Sequence, residues 1–161
     1  MYFCGMNIFV LDIDTHKCAI YHNNRHCIKQ LLETAQLLCG VHWMTNNLYH
    51  IPYKLSHKNH PCAKWARDCI ENYKWLCELG LELCKEYTYR YGKRHKSQDV
   101  IEWCITNQPN LRKNNSITTF ALAMPDEYKT SDVIQSYRNY YRGAKVSFAS
   151  WKNRPKPFWF S

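Results

Sequence analysis

The chain has 161 residues, 45% of them hydrophobic and 15% aromatic, enough apolar material at that length to close one core, so a folded globule and not disorder is the expectation. Lys and Arg outnumber Asp and Glu by 22 to 13, a net charge of +9 with the histidines neutral, which makes nucleic acid the first partner to expect and an anionic membrane surface the second. No run of about 18 apolar residues is present to form a transmembrane helix.

The opening residues carry no basic cluster and soon meet Asp12 and Asp14, so no signal peptide is expected and the location follows as cytoplasmic. Residues 6–11 are a short apolar run, a strand or an extended arm on the core. Asp14 can cap a short helix ending near Tyr21. Asn23 or Asn24 then starts a helix whose apolar residues Cys27, Ile28, Leu31, Leu32, Ala35, Leu38 and Cys39 recur at three- and four-residue steps, and Gly40 is placed to end it. His26, Lys29, Gln30, Glu33 and Gln36 fall along one stripe of that helix, which sets a carboxylate among imidazole, ammonium and amide groups. The plain alternative is a solvated helix face.

Residues 41–59 have no clean period and read as a connection. Pro61 suits the first position of a helix, and an apolar stripe from Cys62 to Tyr91 predicts one long central helix ending at Gly92. Gly80 within it is expected to let another helix approach closely, because glycine otherwise costs a helix about 1 kcal/mol. A shorter helix over 98–106, capped by Ser97, follows. Residues 107–129 form a long irregular connection, and a last helix over 133–142 is ended or kinked by Gly143. The tail from 144 to 161 mixes bases with aromatic rings. The chain therefore reads as mainly α, a compact single-domain helical bundle over 1–161 with a long central helix and an irregular aromatic-basic C-terminal tail.

Nine cysteines are present without any Cys-x-x-Cys pair, and Cys62, Cys69, Cys77 and Cys84 are spaced for one face of a single helix. They read as reduced core residues, with no metal expected. Phosphate-binding loops, His-Glu-x-x-His and nucleophile elbows are missing too. Three basic groups remain. Ser56-His57-Lys58-Asn59-His60-Pro61 precedes a helix start, where amide protons favour phosphate; the alternative is a capping turn. Lys93, Arg94 and Lys96 cluster at a helix end. Arg142, Lys145, Trp151, Lys152 and Arg154 interleave cations with rings, which suits phosphates and exposed bases; the alternative is rings covering the core while cations reach outward.

Taken together, Glu33 on an early helix, Asn59-His60-Pro61 opening a helix that ends in Glu86-Tyr87-Thr88-Tyr89-Arg90-Tyr91-Gly92, and Tyr140-Tyr141-Arg142-Gly143-Ala144-Lys145 resemble the small all-helical pyrimidine-dimer DNA glycosylase family, and more closely its phage and bacterial relatives that begin like Met6-Asn7-Ile8-Phe9-Val10. The resemblance implies a DNA glycosylase that extrudes a damaged or modified base and cleaves its N-glycosidic bond, without a cofactor, as a monomer on double-stranded DNA in a bacterial or phage-infected cell. It implies an N-terminal α-amine that attacks the sugar C1′, which would add lyase activity, and an acid corresponding to Glu33, with His26 and His22 beside it. His22, Arg25, His26 and Lys29 would hold phosphates of the opened duplex, and His57, Lys58, Asn59 and His60 would join the interface. Residues 1–5 precede the matching segment as an extension. If the chain started at Met6, the amine would be in place; otherwise Glu33 would activate water. Two other readings stay open: a non-enzymatic nucleic-acid-binding phage protein, and an enzyme of glycosidic or transfer chemistry on a free nucleotide.

Overall fold

The structure, a computed structural model, describes residues 6–45, 50–144 and 146–161. Its helices are α1 (Thr15–Tyr21), α2 (Asn24–Met44), α3 (Pro61–Ala66), α4 (Ile70–Tyr91), α5 (Gln98–Thr106) and α6 (Val133–Ala144). Among the described residues there is no strand, and no helix is long and apolar enough to cross a membrane. The mainly α class is as expected.

The two longest helices, α2 and α4, pack on each other; α1 closes against α4, and α5 against both. Leu31, Leu38, Leu76 and Leu83 at their contact are fully buried, each removal from water stabilising the fold by about 1.5–3 kcal/mol. Gly80 permits this approach: a Cβ there would meet Ile101 Cγ2 at 3.1 Å and Thr34 Cγ2 at 3.2 Å, on α5 and α2. A polar chain also crosses the three helices. Tyr73 Oη donates to the Cys104 carbonyl at 2.6 Å and so accepts from His42 Nε2, 2.8 Å from Tyr73 Oη. Cys18, Cys27, Cys39, Cys62, Cys69, Cys77, Cys84 and Cys104 are free and buried.

Asp14 caps α1 by accepting from the Lys17 amide, and Asn23 caps α2 through the His26 amide. Gly40 does not end α2. The helix continues because Val41 and His42 still face the core, and it stops at Thr45, whose hydroxyl bonds back to the Val41 carbonyl. The expected single helix from Pro61 is two. Cys69 is extended between α3 and α4, because residues 112–118 dock there: the Ile70 amide donates to the Arg112 carbonyl, Glu71 accepts from the Asn114 and Asn115 amides, and the Asn72 side chain spans Trp65 and Thr118. The four cysteines from Cys62 to Cys84 thus do not share one helix. Ser97 precedes α5 without a side-chain cap and meets Tyr53 Oη instead. Gly143 lies inside α6, where any Cβ would overlap the Tyr128 ring.

Residues 6–11 form an extended arm, every one of them buried. The tail from Ser150 returns across the start of α2: Asn24 bonds Ser150 Oγ and the Lys152 amide, and Trp151 Nε1 donates to the Tyr21 carbonyl.

Candidate active site

Glu33 lies on α2 under the arm and is 4% exposed. Its Oε1 accepts from the Met6 backbone nitrogen and, at 3.2 Å, from Gln30 Nε2 one turn earlier. A carboxylate so buried must be held by donors. α3 packs on α2, and in it burial pushes the pKa of the Cys62 thiol up to about 11, with the Glu33 charge adding to the rise. Behind the arm stands α6, where Tyr137 Oη donates to the Ala121 carbonyl at 2.5 Å while Asn7 Nδ2 donates to the Ala123 carbonyl.

The predicted stripe on α2 is split. His26, Gln30 and Glu33 are buried, Gln36 is half-buried and Lys29 is exposed. The His26 ring stacks on Phe9, centroids 4.3 Å apart, and its Nδ1 is 2.7 Å from Tyr141 Oη. His22 is fully buried, with Nδ1 donating to the Cys18 carbonyl at 2.7 Å. Burial drives its pKa down to about 4, so it is a neutral core residue; nothing in that position lets it hold a phosphate.

The other predicted residues divide in the same way. His60 is buried and its Nδ1 caps α3 through the Cys62 amide, so the capping reading of that turn is the one observed; His57, Lys58 and Asn59 are exposed beside it. Lys93 and Lys96 are exposed, while Arg94 is engaged by Asp99 and Glu102. Between them His95, which the sequence reading passed over, is buried: Nε2 donates to the Ile28 carbonyl at 3.1 Å and Nδ1 accepts from the Ser97 amide. The basic loop is thereby pinned to α2.

At the C-terminal end the bases mostly turn inward. Arg142 donates to the Trp159 carbonyl. Arg154 makes two 3.0 Å bonds to Glu86, which also takes a 2.7 Å bond from the buried Arg90. Burial raises the Glu86 pKa, but the hydrogen bonds from Arg154 and Arg90 and their charges outweigh it and hold the group below the ordinary carboxylate value. Lys152 is exposed, its ammonium 5.3 Å from the Tyr91 ring centre, and Trp151 is half-buried. Lys145 lies outside the described residues. Among the described residues no group of three or more His, Cys, Asp or Glu could hold a metal ion.

Among the described residues the protein is helical without strands, and it holds a buried acid on α2 under the arm of residues 6–11. The family model for pyrimidine dimer DNA glycosylase matches residues 6–99, more than half of the 161-residue chain, and the chain belongs to that family. The match begins at Met6, the residue whose nitrogen touches Glu33. No curated protein and no solved structure matches the chain.

Proposed function

We propose that the protein cleaves the N-glycosidic bond of a damaged pyrimidine in duplex DNA, with Glu33 as its acid-base group. The observation that carries this reading is the contact between Glu33 and the Met6 nitrogen at the start of the family match. The target C1′ is inaccessible inside a base stack, so the nucleotide must be extruded before it meets the acid. As the C1′–N bond lengthens, the base departs with the bonding electrons and the sugar becomes oxocarbenium-like. A carboxylate held by two N–H groups opposes that positive charge.

The nucleophile depends on the state of Met6. As a peptide nitrogen following Gly5, it has a delocalised lone pair and is not a nucleophile. Water then attacks C1′, Glu33 takes its proton, and the product is an abasic site. If the chain begins at Met6, the same atom is a free amine. It attacks C1′, forms an imine as the sugar ring opens, and Glu33 accepts the C2′ proton while the 3′ phosphate leaves. Phosphate contacts fall to the exposed Arg25, Lys29, His57, Lys58, Lys93, Lys96 and Lys152.

The test uses a duplex with one cyclobutane pyrimidine dimer. The full chain is expected to create alkali-labile sites without an adduct under borohydride; the chain starting at Met6 is expected to give a covalent, reduced adduct. Absence of alkali-labile sites with both forms contradicts the proposal, and an adduct with the full chain moves the amine to another residue.

A further inference from the structure

We infer that Ile28 and Leu32 form an apolar wedge that enters the DNA base stack where the nucleotide is extruded, an inference that rests on the glycosylase reading. These side chains lie one helical turn apart on α2 and are 42% and 39% exposed, whereas Cys27, Leu31 and Ala35 on the same helix are fully buried. Two branched aliphatic chains are thus held partly in water on a rigid element. What surrounds them is cationic. Arg25 and Lys29 share the exposed face of α2, and the only acid of that helix is the buried Glu33. The His95 bond to the Ile28 carbonyl brings the loop bearing Lys93 and Lys96 alongside. No carboxylate of the described residues pairs with Arg25, Lys29, Lys93 or Lys96.

An apolar pair in a cationic frame fits a partner that is anionic outside and apolar within, and a base stack between two phosphate backbones has that chemistry. Its place beside the acid makes DNA the occupant. Adjacent helical residues point about 100° apart, so Leu32 projects from the turn that carries Glu33, with Lys29 between them on the helix surface. A side chain filling the vacated step would offset the unstacking cost of a few kcal/mol.

The test compares the parent with Ile28→Ala, Leu32→Ala and the double variant on a dimer-containing duplex with 2-aminopurine next to the lesion. About three fifths of each side chain is covered, so the variants are expected to melt a few degrees lower and are assayed well below that transition, while affinity for undamaged duplex should stay within about twofold because phosphate contacts dominate it. The double variant is expected to lose the fluorescence rise on binding and at least about tenfold in cleavage rate, part of the unstacking energy. A double variant that keeps both, a parent that binds the lesion without any fluorescence rise, or a loss confined to binding of phosphatidylserine vesicles overturns the wedge. A parent whose fluorescence rise depends on these residues but which makes no alkali-labile sites leaves the wedge standing and refutes the glycosylase reading alone.

Discussion

The backbone nitrogen of Met6 donates to Oε1 of Glu33, across 27 residues of sequence. The contact joins the buried arm to the middle of α2 and puts a nitrogen at the one acid of that helix. Gln30 donates to the same oxygen, so the carboxylate is fixed from two sides before any substrate arrives. Pre-set donors and charges of this kind need no reorganisation during the reaction.

Replacing Gln30 separates positioning from chemistry. Gln30→Ala removes one of the donors that orient Glu33 and leaves a cavity, so stability is expected to fall by about 1–3 kcal/mol. Cleavage of dimer DNA should slow while substrate affinity holds. Gln30→Glu should be worse, because two carboxylates would share one buried site. Single-turnover rates at saturating enzyme, read beside chemical melts, check both.

The salt dependence of DNA binding reads the cationic face. Lys29→Gln and Lys96→Gln, at exposed positions without an acid partner, are each expected to reduce the slope of log affinity against log salt by about 0.9. Arg154→Gln should leave that slope unchanged, since its guanidinium is bound to Glu86. Fluorescence anisotropy titrations between low and moderate salt distinguish these outcomes.

The pH dependence of stability has two sources with known sign. His22 has a folded pKa near 4 against 6.5 when free, through burial. Its neutral form is favoured by folding, so up to about 3 kcal/mol of stability is present above pH 6.5 and lost as pH falls towards 4. Glu86 is also depressed, in its case despite burial, by Arg154 and Arg90, and its contribution is lost only below the ordinary carboxylate range. His22→Leu is expected to flatten the stability profile between pH 6.5 and 4 without altering cleavage at neutral pH. Glu86→Gln should cost about 3–5 kcal/mol at pH 7 by stranding two guanidinium groups, and the penalty should shrink at lower pH. Urea melts across pH 3.5 to 8 measure both.

Gly80 sets the spacing of α2, α4 and α5. Gly80→Ala should destabilise by about 1 kcal/mol, the helix-propensity gain being outweighed by crowding against Ile101 and Thr34. Adding Ile101→Val, which removes one methyl from that contact, should recover part of the loss in thermal melts.

Local signals carried much of this structure. Asp14 and Asn23 announced their helices through cap chemistry, and the recurrence of Leu31, Ala35 and Leu38 fixed the buried side of α2. Glu33 was legible as a carboxylate in a basic stripe because α2 contains no other acid. The break at Cys69 was hidden, since cysteine keeps the apolar period on both sides of it and the bonds that interrupt the helix come from residues 112–118. His22 and His26 looked like candidate ligands for phosphate because residue type and spacing do not distinguish a histidine facing solvent from one packed on Phe9, as both of these are. His95 had a readable signal: among three flanking cations it is the ring that can stay neutral, and thus the one to be buried as donor and acceptor at once.

The most direct test of the central claim is the Glu33→Gln variant on a dimer-containing duplex, with alkali-labile sites and binding measured on the same preparation. The amide keeps the size of the side chain and an oxygen for the Met6 contact but removes the charge. The account predicts cleavage reduced by at least about a hundredfold, the usual scale for a lost acid-base group, with affinity for the duplex unchanged or slightly raised. Cleavage by Glu33→Gln at the parental rate would contradict it.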